Sequence, residues 1–394
     1  MATRIGTGFS SLSDPVEAFK AAAIEAKTVL NTIQTDVVFA FTTAGYITPP
    51  GIAALQRILQ PERLIGSTTT GIIVNDRVET RGVGLLAIVS DELHFGGASL
   101  EKINLLTARE AGYGFAKALL NNHKSNQRNA CLYFYDGVRY NGSAFHSGIH
   151  DGLGLALPIA GGVGIDSPKT LKTQFFYQTH ILENAATGLL VGGAGIAAVT
   201  SRHSWQPLGK PRIIDSVQGN IIKTIDKKPA MDLYKDYFQD AGLEITNTLD
   251  DIRLLYPLGI GTNKPREYLI RNAIDILDDG SIVCQGDVPT ESKVHLMITN
   301  KDACHQSTSE AAHELREKMM GKIPKVIFIF ESLIRRKVMG RSATQNLQVI
   351  REMFGHHVPI FGMYTIGETA SLRTPASSAA TQLSNGSITL LAIG

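Results

Sequence analysis

The chain has 394 residues, 43% hydrophobic and 19% charged, which suits a folded globular protein of two or three domains. Its 38 basic and 36 acidic residues leave a net charge of +2, so the charge balance points to neither nucleic acid nor an acidic membrane surface as partner. Its three cysteines, Cys131, Cys284 and Cys304, form no CxxC pair, which argues against disulfides and structural zinc and fits a reducing, cytoplasmic setting.

The N-terminal segment MATRIGTGFSSLSDP lacks the apolar core of a signal peptide. The apolar stretches 152–165 and 187–200 are glycine-rich and shorter than the roughly 20 residues of a membrane helix, so no span is expected. A first helix is predicted over Pro15 to Thr32, with Asp14 as cap, Pro15 in the first turn and Glu17 at the capping-box position.

A pattern then recurs three times. Asp36 to Phe41, Ala130 to Tyr135 and Lys325 to Phe330 are short apolar runs with strand character. Helices are expected after them at Gly51 to Leu59, Asn141 to Leu155 and Arg341 to Gly355. A second strand ends each time in glycine: Arg63 to Gly66, Leu157 to Gly162 and Val358 to Gly362. Returning strands follow, at Gly84 to Val89 continuing into Leu93 to Ser99, at Thr173 to Gly195 feeding Ile196 to Thr200, and at Ser387 to Ile393. A strand–helix–strand unit implies a parallel pair with a right-handed crossover, and ligands gather at the carboxyl ends of such strands. Three glycine turns packed around one axis would therefore form a pocket. The segment from Trp205 to Thr299 reads differently, as an antiparallel sheet with a covering helix, Pro229 to Asp240, and a helix from Ser307 to Met320 leads into the last unit.

Several motifs then resemble those of the FIST sensory family. Ile65 to Gly71 resembles its GCSTxGE turn and Gly161 to Asp166 its GGxAGD turn. Asp215 to Tyr234 is similar to the start of its C-terminal domain. Tyr256-Pro257-Leu258, Tyr268 to Arg271, Phe330 to Arg335 and Gly362 to Glu368 follow in the family's order. The family's cysteine after the third-copy strand is replaced in Phe330-Glu331-Ser332-Leu333, and Ile72 stands where an acidic residue is expected.

The resemblance implies an α/β fold of repeated strand–helix–strand units with returning antiparallel hairpins, divided into an N-terminal domain over 1–202 and a C-terminal domain over 203–394, with mixed sheets around a shared pocket. It implies a cytoplasmic sensor of a small ligand rather than an enzyme. The free-standing NosP-like group further implies haem b, nitric oxide sensing, and a histidine kinase or cyclic-dinucleotide signalling protein as partner. Two alternatives stay open: a haem-independent sensor of a metabolite such as an amino acid, and a hydrolase or transferase using Ser332, Glu331 or Glu368.

Haem needs an axial ligand, and His203, beside the only tryptophan, is the first candidate. Arg271, Arg335 and Arg336 offer planar forks for a carboxylate or propionate. Asp166, Tyr364 and Glu368 follow the glycine turns, where a pocket would open. His146 and His150 share a helix face but lack the intervening glutamate of a zinc peptidase, and are expected to be solvated. Gly193-Ala194-Gly195 lies in a strand-like run and fits no nucleotide site.

Overall fold

A computed structural model of the chain describes residues 3–32, 34–138, 140–154, 157–167, 169–238, 252–253, 255–262, 267–370 and 382–394. The strands Thr35–Thr42, Ala130–Tyr135 and Val326–Ser332 have unbroken apolar centres because both of their faces are covered. Alternate side chains point to opposite faces of a strand. One set, Val37, Phe39, Phe41, Ala130, Leu132, Phe134, Val326, Phe328 and Phe330, meets in a single central core. Phe134 lies edge-on to Phe41 at 5.2 Å and tilted against Phe330 at 5.7 Å, while Phe361 stacks on Phe41 at 4.8 Å.

The other set faces outward onto helices. Val38 and Ala40 pack with Phe19 and Leu55 of the helices Pro15–Leu30 and Pro49–Leu59. Cys131, Tyr133 and Tyr135 pack with Phe115 and Phe145 of Ala108–Asn122 and Gly142–Leu153. Ile327 and Ile329 pack with Leu315 and Ile350 of Lys301–Lys318 and Gln345–Phe354. Three sheets thus share one core and carry their helices outside.

The three sheets have the same strand order. Each repeat begins with an edge strand (Arg4–Ser10, Leu93–Leu100 or Ala197–His203) and a helix. The central strand follows, then a crossover helix and a parallel partner (Pro61–Thr68, Ile159–Gly162 or Ile360–Thr365). A hairpin comes next, and the repeat closes with an antiparallel strand (Val83–Val89, Ala186–Gly193 or Ser387–Ile393).

The hairpin never pairs within its own repeat. Ile72–Val74 with Arg77–Glu79 completes the third sheet, along Phe361 to Met363. Phe175–Tyr177 with His180–Leu182 completes the first, along Ile65 to Ser67. Glu368–Ala370 with Gln382–Ser384 completes the second, along Ala160 to Gly162. The exchange is cyclic and leaves no repeat complete alone. Glycines make the close approaches possible: a Cβ on Gly66 would lie 2.0 Å from the Phe176 ring, and one on Gly362 would lie 2.0 Å from the Ile329 carbonyl oxygen.

Within the third repeat, between its edge strand and its first helix, Gln206–Gln218 to Lys293–Ile298 form a separate antiparallel sheet with its own core around Ile214, Ile222, Tyr234 and Leu296. This is the segment the sequence marks as different in kind.

Some elements depart from expectation. The strand Arg4–Ser10 and the helix Ala108–Asn122 were not anticipated, although Thr107 and Glu110 form a full capping box at the head of that helix. Leu93–Leu100 and Ala197–His203 do not extend the preceding repeats but open the next ones, since their pairing partners are Ala186–Gly193 and Ser387–Ile393. The helix expected from Arg341 instead starts at Leu333, passes through a 3-10 turn at Gly340–Thr344 and resumes at Gln345. The helices expected to end at Leu155 and Asp240 have those ends outside the described residues, and their described parts are Gly142–Leu153 and Asp232–Phe238.

Because Phe41 touches rings from both other repeats, Phe41→Ala should cost about 3–5 kcal/mol. Urea denaturation followed by fluorescence and by far-UV circular dichroism should show the two probes moving together. A loss below about 1 kcal/mol, or separate transitions, would contradict a shared core.

Candidate functional site

The carboxyl ends of the three parallel strands meet and interlock. The Gly71 carbonyl accepts from the Tyr364 amide at 2.9 Å, and Thr69 Oγ1 donates to the Tyr364 carbonyl at 2.7 Å. The Val163 amide donates to the Gly367 carbonyl at 3.1 Å and the Ile366 amide to the Val163 carbonyl at 2.9 Å. Gly164 lies against the Thr68 carbonyl, where a Cβ would come within 2.1 Å. The turns therefore fill the axis themselves.

The hollow opens to one side, between the first and third repeats. It is an open cleft of about 1080 Å³, walled by the loop Thr43 to Tyr46, by Thr80 and Arg81 and by the face Leu333, Arg336, Lys337 and Gly340 of the third-repeat helix, with Asp166 of the second repeat at its edge. The spacing of the helix residues is that of a single helix face. Gly340 ends this helix with φ at +56°, a left-handed conformation that favours glycine.

Two of the cations are held in place. Arg336 donates to the Thr70 carbonyl at 3.2 Å, and its guanidinium lies 5.2 Å from the centre of the Tyr364 ring. Arg81 Nε donates to the Tyr46 hydroxyl at 3.3 Å, and that hydroxyl donates to the Leu12 carbonyl at 2.9 Å. Asp166 accepts from the Thr170 hydroxyl at 2.6 Å. Lys337 and Arg341 add two exposed cations. The lining thus sets Arg81, Arg336, Lys337 and Arg341 against one carboxylate, and suits an anion.

The FIST N domain model matches residues 36–228 and the FIST C domain model residues 230–371. The chain belongs to the FIST family. FIST domains are sensory domains of signal transduction that bind small ligands. A search among curated proteins gave no match.

Among solved structures, one described as "Cyanuric acid hydrolase: evolutionary innovation by structural concatenation" aligns with all of this chain and all of its own at 10% identity and a TM-score of 0.36. The cyanuric acid hydrolase of A. caulinodans aligns with all of this chain and 99% of its own at 7% identity and a TM-score of 0.40. PurLQS from Thermotoga maritima aligns with all of this chain and 72% of its own at 10% identity and a TM-score of 0.25. The expectation that the chain is not an enzyme is corrected here, because two of these aligned structures are hydrolases. At such identities and scores, no activity passes from them to this FIST chain.

The residues singled out in the sequence part into two groups in the FIST fold. Asp166 and Arg336 line the cleft, and Tyr364 is buried beneath Arg336. The other three ligand candidates are buried and paired within the protein. Arg335 gives Nε to Glu331 at 3.1 Å, Nη1 to Ser307 at 2.8 Å and to Ser204 at 3.3 Å, and Nη2 to the Cys304 carbonyl and Thr308, each at 2.9 Å. Arg271 binds the carbonyls of Asp287, Ile270 and Leu383 and reaches Ser143; burial pushes its guanidinium down to about 10. Glu368 accepts from the Thr365 hydroxyl, the Gly367 amide, and the Ser387 amide and hydroxyl. Ser332 caps its own helix, accepting from the Ile334 amide.

His203 is half-buried at the end of an edge strand and does not line the cleft. Its Nδ1 accepts from the Trp205 amide at 3.3 Å, and the ring also bonds to the Tyr268 backbone. Burial pushes it down to about 4. Both sides of the ring are committed, so His203 does not fit an axial haem ligand. No group of three or more His, Cys, Asp or Glu among the described residues could hold a metal. His146 and His150 are buried rather than solvated, at 2% and 6% exposure.

Sequence reading missed Arg81, Lys337, Arg341 and Tyr46. The run Leu333-Ile334-Arg335-Arg336-Lys337 held a usable signal, since neighbouring helix positions lie about 100° apart and Arg335 and Arg336 must face different ways.

Two outcomes are expected of the buried charges. Arg335→Met strands Glu331 and should cost about 3–5 kcal/mol in urea denaturation, whereas a double replacement of Arg335 and Glu331 by Met should recover most of it. Equal losses in the single and double variants would contradict the pairing. Burial raises the Glu368 carboxyl from 4.5 to about 7. Its contribution to stability is then fully present below pH 4.5, the unfolded value, and is lost as pH rises through about 7. The melting temperature should fall across that window, by the equivalent of about 3 kcal/mol at most, and should fall less steeply in Glu368→Gln. Parallel profiles for the two proteins would count against it.

Proposed function

We propose that this FIST chain senses a small metabolite that carries a carboxylate, of the size of an amino acid, held in the cleft between its first and third repeats. The arrangement of Arg336 carries the reading. Its guanidinium is fixed by the Thr70 carbonyl and the Tyr364 ring before any ligand arrives, so little freedom is lost on binding. Arg81, anchored on Tyr46, faces the same hollow and supplies a second cation for a carboxylate. Asp166 at the edge gives an ammonium group a partner.

The cleft touches all three repeats, which suits a sensor, because a guest there contacts parts of the chain that are far apart in sequence. Transfer of the signal to a separate protein, such as a histidine kinase, belongs to the same proposal. Haem bound through His203 does not, since that ring has both sides engaged away from the cleft.

Isothermal titration with a panel of amino acids, their amides and dicarboxylates tests the reading. At least one carboxylate should bind, its amide should bind more weakly, and Arg336→Gln should weaken the carboxylate by about 1.5–3 kcal/mol with an unchanged melting temperature. Binding that ignores both Arg336 and the carboxylate, or a Soret band that nitric oxide shifts, would overturn it.

A further inference from the structure

The cleft is larger and more basic than a simple zwitterion requires. Its volume of about 1080 Å³ lies just above the roughly 300–1,000 Å³ of small-molecule sites. A guest of amino-acid size held between Arg336 and Arg81 fills only part of it. The charges are unequal in the same way. A zwitterion brings one carboxylate to the two anchored arginines and one ammonium group to Asp166. It brings no charge to the rest of the basic face, where Arg341 lies.

That face has a direction. Leu333, Arg336 and Lys337 lie along the helix Leu333–Met339, and Arg341 follows in the 3-10 turn Gly340–Thr344. Arg341 therefore stands more than one helical turn past Arg336 in the chain. Gly340 between them lines the cleft, and a Cβ there would meet nothing within 4 Å. The same holds for Gly45 on the wall of the first repeat. The cleft is thus open next to Arg341. Arg336 and Arg81 are anchored by hydrogen bonds, whereas Arg341 is exposed and makes no hydrogen bond or ion pair among the described residues.

We infer that the guest carries a second anionic group on a short chain, a carboxylate or a phosphate, which Arg341 binds while Arg336 and Arg81 hold the first. The ligand class is an α-amino acid with an anionic side chain, its ammonium group at Asp166. The assignment rests on the cleft being the seat of a carboxylate guest at Arg336, and goes one step past it. Each guanidinium offers a planar fork to one anionic group, so two cations set apart along one wall suit two anions set apart on one molecule. Like charges gathered on one wall of a hollow raise the local potential, which a second anion relieves and an amide does not. Because Arg341 is exposed, solvent and salt screen its pairing, so it contributes selectivity more than affinity.

Isothermal titration of the full chain at one fixed ionic strength compares aspartate, glutamate, α-aminoadipate and O-phosphoserine with asparagine and glutamine. At least one anionic side chain should bind about fivefold or more tighter than the amides. Arg341→Gln should abolish that preference and leave the affinity for the amides unchanged. Its melting temperature should also be unchanged, since the side chain is exposed. O-phosphoserine against the dicarboxylates tells phosphate from carboxylate as the second group, and a lead for either supports the inference. Equal binding of an acid and its amide, or a preference that survives Arg341→Gln, overturns the second anion and leaves the carboxylate site standing. If none of the compounds binds, or binding ignores Arg336→Gln, both readings fall.

Discussion

Every sheet of the main body is finished by a hairpin that belongs to another repeat. The pairings run from the first repeat to the third, from the second to the first, and from the third to the second. Without that exchange, each parallel strand, Pro61–Thr68, Ile159–Gly162 and Ile360–Thr365, would present an open edge, and buried backbone groups left unpaired are costly. The exchange also ties the three sheets to one another around the central phenylalanines. Phe41, Phe134, Phe330 and Phe361 then fill one shared space. A core of this kind cannot be assembled repeat by repeat, so the stability of the three units is coupled.

The same constraint explains the glycines. Gly66, Gly161 and Gly362 mark the ends of parallel strands in the sequence, which suggests turns. In the structure they lie within the paired strands, where a side chain would strike the Phe176 ring, the Tyr133 carbonyl or the Ile329 carbonyl. The turns follow a few residues later, and they lock on one another through Gly71, Val163, Gly164 and Gly367 rather than around an empty axis.

Much of this was legible beforehand. The three central strands stand out because burial on both faces leaves unbroken apolar runs at their centres, Val37 to Phe41, Ala130 to Phe134 and Val326 to Phe330, and the inserted segment stands out because its runs alternate. The edge strand Arg4–Ser10 could not be read so easily: with burial on one face only and two glycines against the helix Pro15–Leu30, RIGTGFS has little strand character. The destination of the hairpins was equally hidden, since Ile72–Val74 and Glu368–Ala370 pair with strands hundreds of residues away. Of the candidate site, Asp166 and Tyr364 were legible because they follow the glycine turns, and Arg336 because arginine offers a planar fork for a carboxylate. Arg335 and Arg271 were misleading because an arginine that closes an internal network and one that faces a ligand look alike in sequence. Their burial tells them apart: Arg335 is 0% and Arg271 3% exposed.

Three equivalent seams join the repeats, and among the described residues the one between the third and first opens into the large cleft, while the others are covered. The seam between the first and second repeats is closed by the second repeat's own loop, where Thr68 and Gln174 exchange backbone and side-chain hydrogen bonds and Gly164 presses on Thr68. The seam between the second and third is closed by the inserted sheet. Gln285 from that sheet donates to the Ile366 carbonyl and accepts from Asn272 at 3.2 Å and Asn385 at 3.0 Å, while Arg271 reaches both Leu383 and Ser143. These amides are fully buried and bonded to one another, so the insert is bound into the body by polar contacts that specify its position. The third seam, between the third and first repeats, receives neither cover. There the helix from Leu333 to Met339 turns its basic face to the loop at Tyr46, and an internal pseudo-symmetry becomes a single asymmetric receptor surface.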